Sequence, residues 1–300
     1  MSRYRDILSI IVLAAIWSSS FAAIKIGVSD LPPSSLVAAR VMIAAAVLYA
    51  YMRVRGGRLP SAVGLWGGFF LFALFGNTIP FSLISWGEQG IDSALAAILM
   101  ANVPLFTLLL SHFFIDDEPM TVKKVFGVML GFAGVLVLIG PDALTGMKGT
   151  LSSQLAVAGG ALCYAIASLI AKRLAKISPV DRSAGVMIAS SVQIVPLALY
   201  FDHPWTLAPD TPALAAVVYL GIFPTALASI LLFQVIDRRG ASYLALSNYL
   251  IPAMGVMWGA VLLGETLHLR QLFALGLILV GIAVSSARAN AVSASPGKVP

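Results

Sequence analysis

Long apolar runs follow one another along almost the whole chain, and they restrict the folds open to it. Each run is close to the ~20 residues that a helix needs to cross the hydrocarbon core of a bilayer. Backbone groups in lipid must be satisfied within their own segment, and the runs lack the alternation of barrel strands, so we expect helices. Ten spans are predicted, at 7–28, 34–53, 63–86, 92–114, 121–140, 153–174, 183–200, 212–236, 241–263 and 269–287.

The composition supports a membrane protein. Hydrophobic residues make up 59% of the 300 residues and charged residues only 11%, whereas soluble domains average ~25% charged residues. The first run is too long for a signal peptide and no cleavage site follows it, so it is predicted to be a transmembrane helix. The single cysteine, Cys163, excludes a disulfide framework. We therefore predict an all-α integral membrane protein.

The basic residues predict the orientation. With the N-terminus inside, most of the 19 Lys and Arg residues lie in cytoplasmic loops, and four lie toward the outside: Lys25, Arg40, Lys148 and Arg270. This asymmetry follows the positive-inside rule and predicts both termini in the cytoplasm. The expected location is the inner membrane of a bacterium. The net charge of +6 therefore reflects topology, and no nucleic-acid partner is predicted. Residues 289–300 are predicted to be a disordered cytoplasmic tail.

The chain also repeats itself. Five pairs of residues lie 147 positions apart: Trp17 and Tyr164, Lys25 and Lys172, Pro32 and Pro179, Glu118 and Glu265, and Gly134 and Gly281. The stretch ARVMIA at 39–44 reappears as AGVMIA at 184–189. We predict two five-helix repeats, at 1–145 and 150–288. Because five is odd, the second repeat must cross the membrane in the opposite sense, as in many secondary transporters.

The ends of the two repeats carry a family resemblance. Each copy opens with a helix rich in aromatic and small residues that ends in Lys. The closing pattern is Pro104, Glu118, Gly127, Gly134 in the first copy and Pro252, Gly264, Glu265, Gly281 in the second. Over residues 5–287 the chain resembles the EamA-type repeat of the drug/metabolite transporter superfamily, although Ala274 replaces one expected glycine. The resemblance implies a ten-helix exporter of small metabolites, and the aromatic central positions are similar to the YddG-type exporters of aromatic and other neutral amino acids.

Transporters with inverted repeats bind their substrate near the bilayer midplane, between the halves. The predicted substrate-binding residues are therefore the polar and aromatic side chains near the midpoints of the spans: Trp17, Ser18, Phe21, Asn77, Phe81, Met100, Tyr164, Ser168, Thr225 and Asn248. Aromatic rings can stack on a solute or hold an ammonium group, and hydroxyl and amide groups supply hydrogen bonds. Small polar residues also serve close helix packing, so both interpretations stay open.

Several charged residues and prolines have predicted roles. Lys25 and Lys172 are expected to extend to the interface, with a gate contact to a carboxylate as the alternative. Glu118 and Glu265 are expected to cap helices or pair with loop charges, and Arg40 lies inside span 2 with no partner identified. The repeat mates Pro104 and Pro252 are candidate hinges, although proline is also common in membrane helices.

Alternating access by facilitated diffusion is the predicted mechanism, because no acidic residue lies in the middle of a span. The segment 140–150 lacks the spacing of a phosphate-binding loop, so ATP drive is not predicted. The sequence contains no catalytic constellation that would indicate an enzyme. It also lacks the rings of like charge that would indicate a channel. The predicted partners are a small-molecule substrate and the bilayer, with no cofactor or metal, and a monomer is possible. Lipophilic cations or drugs are the alternative substrates.

Overall fold

The computed structural model describes residues 2–114, 121–139, 148–171, 174, 177–239, 241–244 and 247–286. The predictions for Glu118, Lys172 and the tail 289–300 lie outside these residues. So do most of the segment 140–150 and the loop residues between the two predicted repeats.

The described residues form helices and turns, with no strand among them. The main helices, in chain order, are α1 (Ser2–Val28), α2 (Pro33–Val54), α3 (Val63–Gly87), α4 (Ser93–Phe114), α5 (Val122–Ile139), α6 (Lys148–Ala171), α7 (Pro179–Phe201), α8 (Thr211–Arg239), α9 (Ser247–Leu263) and α10 (Leu269–Ser286). A single helical turn, Ala241–Leu244, precedes α9, and a 3₁₀ turn, Pro204–Thr206, follows α7. The prediction of helices is confirmed for this part of the chain.

Seven of these helices are long and apolar enough to cross a membrane, namely α1 to α4 and α6 to α8. Shorter apolar stretches lie within α9 and α10, at Leu250–Leu263 and Leu269–Val284. The chain is therefore a multi-pass helical membrane protein, and the count of ten crossings stays a prediction.

Three of the long helices are irregular within their length. A π-helical segment, Leu74–Thr78, lies within α3, and another, Gly221–Leu227, lies within α8. Both begin 147 positions apart, the offset of the sequence repeat. A turn at Ala101 and Asn102 divides α4 into two helical segments. π-helical segments are rare and are frequently found at functional sites, so they direct attention to the middle of α3 and α8.

The helices pack in pairs across the two predicted repeats. α2 packs against α7, α4 against α9, and α5 against α10. The last pair is closest at two glycines of the repeat pattern. A Cβ on Gly134 would lie 2.9 Å from the carbonyl oxygen of Ala274, and one on Gly281 would lie 2.5 Å from that of Gly127. These approaches require glycine, because a methyl group would push the helices apart.

Two helices receive their N-terminal caps from the opposite half of the chain. The Glu265 carboxylate accepts hydrogen bonds from the backbone N–H groups of Ser93 (2.8 Å) and Ala94 (2.9 Å), at the start of α4. The Asp202 carboxylate accepts one from the N–H of Ser35 (2.8 Å), near the start of α2. An anionic cap satisfies donors that a helix leaves open at its N-terminus. The capping role predicted for Glu265 is confirmed.

Candidate functional site

A buried arginine lies at the centre of the polar groups between the helices. Arg40, in α2, is only 3% exposed. Its guanidinium carbon lies 3.8 Å from the centroid of the Phe81 ring of α3. Its Nε donates to Thr225 Oγ1 at 2.7 Å, inside the π-helical segment of α8. Within the described residues this is the one hydrogen bond of the guanidinium, so most of its donors remain available.

Two predicted site residues contact this arginine, Phe81 through its ring and Thr225 through its hydroxyl. Tyr164 lies within electrostatic range of Arg40. Phe21, Phe81 and Met100 are buried in one large hydrophobic cluster, and half-buried Tyr164 packs against it. For Phe21 and Met100 a place in the binding site stays a prediction. Arg40 itself was missing from the predicted site, although an arginine within an apolar span is a signal of function by itself.

The serines of α1 contact other helices. Ser18 is fully buried, and its Oγ accepts a hydrogen bond from Trp258 Nε1 of α9 at 3.1 Å. Ser19 Oγ and the Tyr219 hydroxyl of α8 lie 2.6 Å apart. Ser19, Tyr219 and Trp258 also line a groove of about 570 Å³ between α1, α8 and α9. Ser18 thus has a packing contact, and the half-buried Trp17 stands one residue before it.

Asn77 belongs to a separate polar group on the π-helical segment of α3. Its Nδ2 donates to Ser190 Oγ of α7 at 3.0 Å. The neighbouring Thr78 hydroxyl donates to Gln193 Oε1 at 2.6 Å. Ser190 and Gln193 were not predicted as site residues. The cluster SSVQ at 190–193 inside an apolar span was the available signal.

For two further predicted residues, no hydrogen bond to another helix is found among the described residues. Ser168 is half-buried and donates to the Ala165 carbonyl of its own helix at 2.7 Å. Asn248 is half-buried near the start of α9. Their role in binding stays a prediction.

The two predicted hinges differ in structure. Pro104 follows the turn that divides α4 and lies in the first turn of Val103–Phe114, where a missing N–H leaves no hydrogen bond unmade. Pro252 lies inside the uninterrupted helix Ser247–Leu263. Buried Asn102 occupies the turn before Pro104, and its Oδ1 has no hydrogen-bond partner in the described residues. The hinge role stays a prediction for both prolines.

The C-terminal ends of α1 and α3 meet at a charged cluster. Lys25 Nζ donates to the carbonyl oxygens of Glu88 and Ile91, both at 2.8 Å. The half-buried Lys25 side chain therefore extends to the chain segment that follows α3, and its predicted position at the interface stays a prediction. Its predicted counterpart, Lys172, lies outside the described residues.

Glu88 is buried directly after the last residue of α3. The residue has 0% exposure, and neither carboxyl oxygen has a hydrogen-bond partner within the described chain. Burial raises the pKa of this carboxyl well above its usual range, against the lowering effect of Lys25; nearby Glu265 adds to the increase and Arg40 opposes it. Its place after the end of a predicted span gave no signal of this burial.

The combined geometry can bind a small polar solute with an apolar part. It offers a guanidinium, a buried carboxyl group, hydroxyls and aromatic rings within one bundle. The described residues contain no group of three or more His, Cys, Asp or Glu side chains that could hold a metal ion.

Comparison with known proteins assigns the chain to a class. The sequence profile of the EamA-like transporter family matches it twice, over residues 5–140 and 151–287. The uncharacterized inner membrane transporter YedA of Escherichia coli is 29% identical over 292 residues, covering 93% of this chain and 91% of YedA. A probable terminal-alkyne amino-acid exporter of Streptantibioticus cattleyicolor is 27% identical over 270 residues, covering 88% of each protein.

An experimental structure has a similar fold. A crystal structure with 23% sequence identity superposes with a TM-score of 0.69, covering 94% of this chain and 98% of the other. At this level of identity the similarity concerns the fold alone.

Proposed function

This chain belongs to the EamA-like transporter family, and on that basis we propose that it exports neutral amino acids, including aromatic ones, from the cytoplasm of a bacterium. Members of the family are transporters and not enzymes. The observation that carries the proposal is the buried Arg40 between Phe81 and Thr225, close to Tyr164. A guanidinium among aromatic rings suits a solute with a carboxylate and an apolar side chain. The exporter from Streptantibioticus cattleyicolor, named for an amino acid, supports the same class.

The proposed architecture is two inverted repeats of five helices, with both termini in the cytoplasm. Three observations support it: the packing of α2, α4 and α5 against α7, α9 and α10, the equivalent π-helical segments, and the two matches to the family. Inverted halves allow a central site to open first to one side and then to the other. The break before Pro104 is the proposed hinge of one gate, with Pro252 as its counterpart.

Facilitated diffusion is the proposed mode of transport, since the described acidic residues lie at or beyond the ends of the spans. Buried Glu88 is the residue that tests this mode. In proteoliposomes, a pH gradient without a solute gradient should drive no net accumulation of amino acid. Accumulation by the wild type would replace facilitation by proton exchange, and a Glu88→Gln variant that keeps counterflow but loses accumulation would identify Glu88 as the proton carrier.

Lipophilic cations are the second candidate substrate class. The groove between α1, α8 and α9 supports it, because it is lined mainly by apolar side chains together with Tyr219 and Trp258. Aromatic faces attract cations, and more strongly where water is excluded.

Counterflow in proteoliposomes separates the two classes. Vesicles containing the purified protein are loaded with unlabelled phenylalanine, and uptake of labelled phenylalanine is followed with neutral amino acids or quaternary amines as competitors. We expect competition by neutral amino acids. Competition by quaternary amines alone would support the second class, and the absence of counterflow would contradict the proposed function.

A further inference from the structure

We propose that Arg40 and Glu88 form the two poles of a site for a zwitterion, in which Arg40 binds the α-carboxylate and Glu88 binds the α-ammonium group. The inference rests on the proposed function and specifies how that site would recognise its substrate. It assigns a binding role to two side chains that the sequence analysis left without one.

The carboxylate pole follows from the surroundings of Arg40. A buried charge in a membrane protein needs a partner, yet within the described residues Arg40 forms no ion pair and makes a single hydrogen bond, through Nε. Thr225 and the Phe81 ring hold the guanidinium plane in place. A planar guanidinium presents parallel N–H groups that match a carboxylate in two hydrogen bonds.

The ammonium pole follows from the surroundings of Glu88. Its two oxygens are buried acceptors that no donor of the described chain satisfies. Lys25 is near, but its ammonium donates to the main-chain carbonyls of Glu88 and Ile91. The remaining charged groups that act on Glu88 are Glu265, which caps α4, and Arg40. An incoming ammonium would supply the missing donors and favour the ionised carboxylate.

One further unsatisfied group lies in α3, the helix that Glu88 follows. Ser85 Oγ of α3 is buried and without a hydrogen-bond partner in the described residues, as are Asn102 Oδ1 of α4, Gln154 Oε1 of α6 and Arg182 Nε of α7. Native proteins leave few buried polar atoms unpaired, and each such atom needs an explanation. A ligand with N–H donors would account for the acceptors at the end of α3.

The second half of the chain contains a comparable arrangement that is closed. Arg182 of α7 lies over the Phe233 ring of α8 at 4.0 Å, and its Nη2 binds both oxygens of Asp237 at 3.0 and 3.1 Å. Phe233 precedes Asp237 by four residues, whereas Phe81 precedes Glu88 by seven. A helix rises 1.5 Å per residue, so Glu88 lies about 4.5 Å further along its helix from the stacked phenylalanine than Asp237 does. The ion pair that closes in one half is therefore open in the other.

Both charges are needed for selectivity. A solute with only an ammonium group would leave Arg40 without a partner, and one with only a carboxylate would leave Glu88 without one. Unpaired buried polar groups reject an analogue far more strongly than a loss of apolar contact does. The aromatic side chains of Phe81 and Tyr164 near Arg40 would receive the apolar side chain of the solute and would discriminate less.

Equilibrium binding of three labelled probes to the purified full chain tests the proposal. The probes are L-phenylalanine, phenethylamine, which lacks the carboxylate, and 3-phenylpropanoate, which lacks the ammonium group. The wild type should bind phenylalanine at least about tenfold more tightly than either analogue. Arg40→Gln should weaken the binding of phenylalanine by about 10- to 100-fold and change the affinity for phenethylamine by no more than about twofold. Glu88→Gln should remove the preference for phenylalanine over 3-phenylpropanoate.

Matched controls remove a charge elsewhere. Arg55→Gln and Asp92→Asn change exposed residues outside the site and should keep the wild-type preferences. Arg40→Lys retains the charge without the planar fork and should give an intermediate ratio. Because each preference is a ratio within one preparation, loss of folded protein cancels. If no Arg40 variant folds, the Glu88→Gln ratio decides.

The outcomes separate this proposal from the proposed function. Unchanged preference ratios in Arg40→Gln and Glu88→Gln would overturn the zwitterion site even if counterflow of phenylalanine is observed. Equal binding of phenethylamine and phenylalanine by the wild type would overturn it as well. Selective binding that depends on both residues, without counterflow, would support the site and contradict the export function.

Discussion

The two halves of the bundle each bury an arginine against a phenylalanine, but they differ in how that charge is neutralised. Arg182 is 1% exposed and binds both oxygens of Asp237, which is 32% exposed. Arg40 is 3% exposed, and the nearest acid that acts on it, Glu88, forms no ion pair with it in the described chain. An internal ion pair satisfies a buried charge permanently, whereas a separated pair leaves both groups able to bind a solute.

This difference distinguishes a structural from a functional use of the same residue types. A protein selected for stability alone would close both pairs, because breaking a buried pair costs several kcal/mol. Open pairs persist where function requires them, and polar groups inside membrane proteins mark sites of this kind. Three experiments on stability test the comparison.

The largest effect is expected from removing the acid of each pair in turn. Asp237→Asn should lower the free energy of unfolding by about 3 kcal/mol, at the lower end for a broken buried pair because Asp237 is partly exposed. Glu88→Gln should not lower it at neutral pH, since this carboxyl has no donor to lose. Thermal unfolding of each variant in detergent measures the difference, with Asp92→Asn as the control. An equal loss in both variants would contradict the comparison.

A smaller effect is expected at the equivalent threonines of the two π-helical segments. Thr225 accepts from the charged Arg40, whereas Thr78 donates to the neutral Gln193. Thr225→Val should cost about 2 kcal/mol and Thr78→Val about 1 kcal/mol, because hydrogen bonds to charged groups are stronger. The same unfolding measurement ranks the two variants. A reversed order would show that Arg40 is satisfied without Thr225.

The smallest effect is expected in how the stability of the protein changes with pH. Burial holds the pKa of Glu88 well above its ordinary value of 4.5. As pH rises above that value, the unfolded chain loses this proton before the folded protein does. The contribution of the neutral carboxyl to stability is therefore complete below the ordinary pKa and is lost as pH rises through the raised one.

The measurement compares melting temperatures at pH 4.5 and at about pH 8. The lower limit is the ordinary pKa of the Glu88 carboxyl, and the range up to about pH 8 covers part of the expected loss of stability. The wild type and Asp92→Asn should lose stability over this window relative to Glu88→Gln, which has no carboxyl to ionise at that position. Parallel profiles for the wild type and Glu88→Gln would show that Glu88 titrates normally.

Much of the fold was predictable from local sequence. The helices at spans 1 to 4 and 6 to 8 and the capping role of Glu265 are confirmed, and so is membership of the EamA family. Hydrophobicity predicts a span because each helix satisfies its own backbone in lipid. The candidate site was less predictable: Phe81 and Thr225 contact Arg40, whereas Asn77 binds Ser190 and Ser18 binds Trp258.

The sequence alone determined that this chain is a helical membrane protein of a transporter family. The length of each apolar run and the repeated residues can be read without knowing how the helices pack. Only the tertiary structure decided which buried polar groups are paired. Arg40 and Thr225 are 185 residues apart, and their contact depends on how α2 packs against α8. The side chain of Glu88 is fully buried although the residue follows the end of α3, and no local pattern encodes that burial. Charge partners in a membrane bundle follow from helix packing, since a buried charge can be satisfied only by what the neighbouring helices bring within reach.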